Sequence, residues 1–443
     1  MDKQTEHKPA SVSATTPQAG ETQDRWWWVE RSVWTERMLT ALENGVKGSK
    51  WFRLIDKVYA SRNLQAAFRA VWRNEGSPGV DRQTVEQFEA QHTEELGKLS
   101  QELQARTYRP HPVRRVWINK LGSHEKRPLG IPVVRDRVVQ AALKQVIEPI
   151  FECEFAGTSY GFRPGRGCQQ ALERVEGLFK AGYTWVVDAD LKSYFDTIPH
   201  ERLLARVQER IADGRVLALI EAFLRQGVME EMKDWQPTER GTPQGAVISP
   251  LLANVYLNPL DHKMAQAGWE MTRYADDFII QCRSQAEAQS ALETVKQWVE
   301  AEGLQLHPTK TRIVDATQRG GFDFLGYHYE RGYQWPRQKS QDKLKETIRE
   351  KTSRTCGVSL DTLITGINRT LRGWHAYFWR SLRNELEKLD KIVRRRLRSI
   401  LMKRHRKRGI DWHQANRLWP NAYFTERGLY TMAPALATRR QSR

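Results

Sequence analysis

Asp276 and Asp277 stand side by side within Met271-Thr272-Arg273-Tyr274-Ala275-Asp276-Asp277-Phe278-Ile279-Ile280. Apolar residues on both sides predict a strand, a tight turn carrying the acids, and a second strand. Adjacent carboxylates repel, so the pair is stable only in water or beside cations. Alone, such a pair reads as a solvated turn. A second source of carboxylates changes the reading. Trp185-Val186-Val187-Asp188-Ala189-Asp190 is an apolar strand that runs straight into acids. An acid at the end of a buried strand is costly unless it meets a cation or a partner. Magnesium prefers oxygen ligands, takes few from protein, and takes the rest from water and phosphate. Two such ions clamp the attacking and leaving oxygens of a phosphoryl transfer. Asp190, Asp276 and Asp277 form a suitable set, and Asp188 and Asp196 compete with them on spacing alone.

Basic and Gly/Pro-rich stretches surround these acids. Residues 113–121 predict a strand with basic residues, followed by a Gly-containing turn and a second strand over residues 126–132. A hairpin carrying Lys120 and Arg127 suits a triphosphate, because Arg gives bidentate phosphate contacts and Lys a point charge. Tyr160-Gly161-Phe162-Arg163-Pro164-Gly165-Arg166-Gly167 is a loop able to approach a nucleic-acid backbone closely. Gly241-Thr242-Pro243-Gln244-Gly245 leads into a helix expected over 251–257, and Gln244 with the neighbouring amides suits a nucleotide pocket. Lys310 falls on a strand expected over 303–314.

The elements that hold these residues are mostly legible from periodicity. Trp51, Leu54, Ile55, Val58 and Tyr59 follow helical spacing, and a further helix over 63–72 ends before Gly76-Ser77-Pro78-Gly79. A helix over 136–151 carries Val138, Val139, Ala142, Leu143, Val146 and Ile147 on one face, which marks it as core. Residues 201–232 read as helices, 286–302 as a helix and 321–327 as a Gly-bounded strand. Two amphipathic helices follow, one from Leu360 to Phe378 and one from Leu382 to Leu401. The second runs into a basic block: from Lys391 to Arg408 there are ten Lys or Arg in eighteen residues and no acid. Such a run repels itself strongly without a polyanion. The aromatic segment Leu418-Trp419-Pro420-Asn421-Ala422-Tyr423-Phe424 is expected to pack back or stack.

Composition agrees with a polyanion partner. The 443-residue chain has a net charge of +18 and a pI near 9.8, and its first expected partner is nucleic acid. Sixteen Trp imply packed or stacking surfaces rather than a basic tail. Four Cys are widely spaced without a Cys-x-x-Cys pair, which excludes a zinc ribbon or disulfide framework and fits a reducing cytoplasm. No apolar run is long enough to span a bilayer, and the N-terminus lacks a signal-peptide core. Residues 1–24 are polar and read as a disordered tail.

Seven stretches in order carry a resemblance: Gly79-Val80-Asp81, Arg127-Pro128-Leu129-Gly130-Ile131-Pro132, Gly161-Phe162-Arg163-Pro164-Gly165, Asp190-Leu191-Lys192-Ser193-Tyr194-Phe195-Asp196, Pro243-Gln244-Gly245, Tyr274-Ala275-Asp276-Asp277 and Gly321-Phe322-Asp323-Phe324-Leu325-Gly326-Tyr327. Together they resemble the reverse transcriptase blocks of bacterial group II intron-encoded proteins, over roughly residues 30–435. The resemblance implies an α+β right-hand polymerase, with fingers and an antiparallel palm sheet, followed by an α-helical thumb or maturase domain. The expected division is a tail at 1–24, an N-terminal extension and fingers at 25–175, a palm at 176–335 and a thumb at 336–443.

By that resemblance Asp190, Asp276 and Asp277 are catalytic metal ligands for two Mg²⁺ ions, with Mn²⁺ as a substitute. Lys120 and Arg127 grip the incoming dNTP, and Gln244 contacts it beside the template pair. Phe195 is the ribose gate, and Lys310 assists the leaving pyrophosphate. The segment from Ile367 to Phe378 resembles the maturase domain. Nucleic-acid contacts are expected from Arg163, Arg166, Arg372, Trp374, Arg394, Arg395, Arg398, Lys403 and Arg404.

The implied partners are group II intron RNA, an RNA template with a DNA primer, and a DNA target, in the bacterial cytoplasm and on the nucleoid. The lack of Cys pairs points to the endonuclease-lacking class. Two alternatives stand beside an active reverse transcriptase and maturase. One is an RNA-binding splicing cofactor with a dispensable polymerase; the other is a domesticated relative in DNA repair or phage defence.

Overall fold

The computed structural model describes residues 25–46, 49–119, 126–230, 234–353, 357–405 and 410–441. Lys120, residues 1–24 and Arg406 to Arg408 of the basic block lie outside the described residues.

An N-terminal helical layer comes first, over Glu36–Asn44, Ile55–Val58, Ser61–Asn74, Val85–Ala90 and His92–Ala105. Local sequence explains its punctuation. Thr84 caps the fourth of these helices through a reciprocal bond with Gln87. The helical spacing from Trp51 to Tyr59 yields only one turn, at Ile55–Val58, because Trp51 is drawn instead into a β-bridge with Ile211. Helix Ser61–Asn74 packs on the long helix Val134–Glu152, and Asn63 Nδ2 donates to the Ala142 carbonyl at 3.1 Å. Helix Val134–Glu152 is buried on nearly every face, so it forms the centre of the largest core.

Three sheets follow. Strands β1 (Val113–Asn119) and β2 (Lys126–Ile131) form the expected hairpin. They join β4 (Val228–Glu230) and β5 (Asp234–Gln236) in the order β2-β1-β4-β5, with β1 parallel to β4. Within the stretch expected to be helical, 201–232, residues 228–230 are therefore strand; the helices stop at Arg225 and Gly227 turns the chain with φ 76°.

The second sheet has the order β6-β7-β3-β8, from β3 (Trp185–Asp190), β6 (Glu270–Tyr274), β7 (Asp277–Cys282) and β8 (Arg312–Asp315), all antiparallel. Helices Ser249–Gln266 and Gln285–Ala301 cover it, the second capped by the Ser284 side chain. The strand expected over 303–314 reduces to β8 and a single bridge between Leu306 and Leu191, so Lys310 stands in a turn.

The third sheet, β11-β10-β9, comes from β9 (Phe322–Phe324), β10 (Tyr327–Glu330) and β11 (Tyr333–Pro336). The single strand expected over 321–327 is two strands, because Leu325 and Gly326 take φ of 46° and 84° and reverse the chain.

The C-terminal part is helical: Gln338–Lys351, Leu360–Phe378, Arg383–Arg404, Trp412–Leu418, Asn421–Glu426 and Met432–Gln441. It has its own apolar core, in which Trp419 and Phe424 are buried, so the aromatic segment packs back as expected. Buried Asp390 receives the backbone N–H groups of Met432 and Ala433 and so caps the last helix. The fold is α+β with mixed and antiparallel sheets and a helical C-terminal region.

Candidate active site

The two acid-bearing stretches meet at one end of the second sheet. Strands β6 and β7 are joined by the two-residue turn Ala275-Asp276, and the register sets Tyr274 opposite Asp277. Ala275 holds a positive φ of 60°, the left-handed conformation that tight two-residue hairpins need and that a side chain resists. On the other side of β7, Asp277 lies directly opposite Asp190 of β3. Three carboxylates from two strands thus share one edge. Burial raises the pKa of Asp276, with Asp190 adding to the rise and Arg127 opposing it. Burial, together with Asp276, Asp188 and Asp190, pushes Asp277 up to about 7 although its side chain keeps an exposed surface.

The competing acids have other partners. Asp188 is pushed to about 6 by burial, opposed by Arg312, whose Nε lies 3.3 Å from its Oδ2. Asp196 accepts from Gln244 Nε2 at 3.4 Å. Lys310 Nζ lies 2.8 Å from Asp190 Oδ2, so a cation already stands at the edge of the acid cluster. Among the described residues no three His, Cys, Asp or Glu side chains close on one point ready for an ion. The donor set nevertheless fits a hard cation: all three groups offer carboxylate oxygens, and two of them are held in mutual repulsion that a cation would relieve.

The predicted nucleotide-side residues converge from separate elements. Arg127 on β2 is exposed, and its charge acts on both Asp276 and Asp196. The loop with Gln244 docks on β2: the Gly130 N–H donates to the Gln244 carbonyl at 2.7 Å, and a Cβ on Gly245 would stand 2.6 Å from the Gly130 oxygen. The same loop grips the segment after β3, since the Thr242 N–H donates to the Phe195 carbonyl at 2.7 Å. Phe195 is half-buried, edge-on to Tyr194 at 5.5 Å between ring centroids, so one part of its ring packs on the core. Sequence reasoning missed Arg115 of β1, whose charge also acts on Asp196. Its place beside Arg114 in a basic, half-buried strand gave no signal to separate the two.

The predicted nucleic-acid residues divide. Arg163 is buried, and its guanidinium donates to Glu152 and to the carbonyls of Ala156 and Ser159. It holds its loop together from inside and offers no face to a ligand. Arg166 is half-buried over the Tyr160 ring and donates to the Gly157 carbonyl at 2.7 Å. In the C-terminal helices Arg398 is also buried, donating to the Trp419 carbonyl and Asn421 Oδ1. Arg395 is exposed and stacks over Trp412 at 4.7 Å. Together with Lys391, Arg394 and Trp412 these arginines line a cavity of about 680 Å³. Arg372 and Lys403 are exposed. Arg404 is exposed too and donates to the Val358 carbonyl, and Trp374 is half-buried against Phe378 at 4.4 Å.

A profile for reverse transcriptase (RNA-dependent DNA polymerase) matches residues 118–329, and one for the group II intron maturase-specific domain matches 341–419. Protein YkfC of Escherichia coli (strain K12) is 32% identical over 353 residues, which is 70% of this chain and 91% of that protein. The chain belongs to the reverse transcriptases that carry a group II intron maturase domain. The group II intron-encoded protein LtrA of Lactococcus lactis subsp. cremoris is 38% identical over 217 residues, covering 48% of this chain and 35% of LtrA. A solved partial Cas6-RT-Cas1–Cas2 complex overlaps 56% of this chain and 43% of that one at 25% identity and a TM-score of 0.36, too loose a match to argue from.

Within this reverse transcriptase the acid edge lies inside the first matched region and the basic C-terminal cavity lines up with the end of the second. Enzymes of the family use divalent metal ions. Among the described residues no helix is long and apolar enough to cross a membrane.

Proposed function

We propose that this reverse transcriptase adds dNTPs to a primer 3′-OH on an RNA template, and that its helical C-terminal domain binds group II intron RNA as a maturase in splicing and in target-primed mobility. The observation that carries the polymerase reading is the register of Asp190 opposite Asp277 with Asp276 in the adjoining turn. These three residues would hold two Mg²⁺ ions. Bound there, the ions supply charge neutralisation for the primer oxygen and the transferred phosphoryl group.

The chain itself positions and neutralises. Arg127 faces the acid edge as a bidentate phosphate donor, with Lys120 of the same hairpin as its expected companion. Asp196 fixes one side of the Gln244 amide, which leaves the amide oriented beside the nucleotide. Phe195, anchored through its carbonyl to Thr242, presents its free ring edge as the gate against a 2′-OH. Lys310 supplies a positive charge beside Asp190, suited to a leaving pyrophosphate. Fingers over 25–175, palm over 176–335 and thumb over 336–443 are the divisions this reading uses. Helix Cys168–Lys180 passes through the first boundary and packs on β6.

Primer extension on an RNA template with Mg²⁺ tests the reading. Asp276→Ala is expected to lose extension by at least about 100-fold, the scale on which one preorganised electrostatic group acts; full extension by the variant would remove the metal-ligand assignment. For the maturase role, splicing of a group II intron is compared with and without protein, and no effect at low salt would count against it.

A further inference from the structure

We infer that Arg273, held by Asp261 and Asn254, is a positioning residue that sets the Tyr274-Ala275-Asp276-Asp277 turn and thereby the placement of its two carboxylates. The inference rests on the reading of Asp276 and Asp277 as metal ligands.

Arg273 lies on β6, one strand from the acid edge, and is fully buried. A buried guanidinium is expensive unless its donors are matched, and here nearly all of them are. Nε donates to Asp261 Oδ1 at 2.7 Å and Nη2 to Asp261 Oδ2, a bidentate fork that fixes the guanidinium plane. Nη1 is left to make two further bonds, to Asn254 Oδ1 at 2.9 Å and to the Ala275 carbonyl at 2.8 Å. Asn254 and Asp261 are seven residues apart on helix Ser249–Gln266, so both project from one face of that helix.

The second bond of Nη1 is the informative one. Ala275 is the residue of the turn with φ 60°, a conformation that persists only where surrounding contacts impose it. Its carbonyl is the acceptor that Arg273 holds. On the far side, Asn254 Nδ2 donates to the Gly161 carbonyl at 2.8 Å. Gly161 lies so close to the turn that a Cβ there would collide with the Ala275 nitrogen. The main chain of Arg273 completes the clamp: its N–H donates to the Thr158 carbonyl at 3.0 Å, and its carbonyl accepts from the Tyr160 N–H at 2.9 Å. The Arg273 side chain therefore ties the acid turn to the helix that follows the Gln244 loop, and Asn254 with the Arg273 main chain extends the tie to the loop at 158–163. An arginine that merely filled the core would have no reason to bond a strained turn beside the acids.

The test uses the full chain and reads metal binding as well as rate. Asn254→Ala keeps the Arg273–Asp261 pair and releases Gly161. Arg273→Lys keeps a charge opposite Asp261 but removes the fork and the Nη1 donor that reaches the Ala275 carbonyl. In both, kcat for primer extension is expected to fall about 10-fold, on the scale that small misplacement of reacting groups produces. Mn²⁺ binding to the nucleic-acid-free protein, followed by electron paramagnetic resonance, should weaken several-fold, and the dNTP KM should stay close to wild type. The amides of Ala275 and Asp276 should exchange faster with deuterium. Leu99→Ala, in the N-terminal helical core, serves as a variant of lowered Tm that leaves these readouts unchanged.

Wild-type kcat and Mn²⁺ affinity in both network variants, with both lost in Asp276→Ala, would overturn the positioning role and leave the metal reading standing. Retention of both in Asp276→Ala would remove the metal reading and this inference with it. If one network variant fails to fold, the other decides. Losses in the network variants that merely follow their folded fraction, with exchange at Ala275 and Asp276 no faster than in Leu99→Ala, overturn the inference.

Discussion

Asp277 carries the charge that the fold holds least comfortably. Its folded pKa near 7 lies well above the ordinary carboxylate value, and that of Asp188 near 6 does too. An acid raised in this way binds its proton more tightly when folded. Its contribution to stability is complete below the unfolded pKa, near 4, and is lost as pH rises through the folded value. The metal-free protein is therefore expected to lose Tm as pH rises from about 4 to about 7 and to level off above that. Mg²⁺ should offset the loss, and Asp277→Asn should flatten it. Thermal scans in EDTA and in Mg²⁺ across that range check this; a flat Tm in the wild type would contradict it. Phe195 offers a second test at this scale. Phe195→Val removes the ring edge that faces away from Tyr194, and rNTP incorporation should rise by about 10- to 200-fold relative to dNTP, the range one apolar contact supplies. Competition assays with both nucleotides measure it, and unchanged sugar selectivity would remove Phe195 as the gate.

Among the elements, the two loops that close on the acids depend on glycines with little room. Gly245 has φ 112° and lies against the Gly130 carbonyl and the Leu129 side chain. Gly245→Ala must shift the Gln244 loop away from β2. The expected result is a dNTP KM raised several-fold with a loss of about 1 kcal/mol or more in stability, read from steady-state extension and urea unfolding; an unchanged KM would detach that loop from the nucleotide. Element types were largely legible from apolar spacing and runs: helix Leu360–Phe378 buries one face, helix Val134–Glu152 is buried on nearly every face, and β7 is a short continuous buried run bounded by the acid turn. The failures have two causes. Residues 303–311 and 321–327 carry strand-forming residues, but left-handed positions at Gly303, Leu325 and Gly326 turn the chain, and a single positive φ outweighs propensity. Residues 228–230 became strand because β1 offered an edge to pair with, and residues 234–236 pair with them in turn, which no local pattern announces.

Across the whole molecule, helix Cys168–Lys180 joins the two halves. Gln169 Nε2 donates to the Tyr377 carbonyl at 3.1 Å and Gln169 Oε1 accepts from Trp379 Nε1 at 3.2 Å, while Arg380 pairs with Glu176 at 2.6 Å. The helix that begins beside the loop at 160–167 is thus bolted to the maturase-matched region. The net charge of +18 makes RNA binding steeply salt-dependent. Arg395→Ala, at the exposed wall of the basic cavity, should weaken intron RNA binding at all sequences and lower the salt slope by about 1. Arg398→Ala should act instead through stability, because that guanidinium is turned inward to Trp419 and Asn421. Filter binding over a salt series, beside a Tm for each variant, separates the two; equal slopes for Arg395→Ala and wild type would take Arg395 out of the interface.

The sequence by itself determined the acid-bearing turn, the second acid strand, the basic C-terminal helix and, through seven ordered stretches, the family. Those features are local: residue type and spacing set them before any long-range contact forms. Tertiary structure decided the rest. It placed Asp190 opposite Asp277, gave Asp188 to Arg312 and Asp196 to Gln244, and turned Arg163 and Arg398 inward. It also made a lone arginine in a buried strand, Arg273, the centre of a network reaching the acid turn. Which charge faces a ligand and which is matched from within depends on partners from a loop's length to more than 100 residues away, and a one-dimensional pattern carries no record of those pairings.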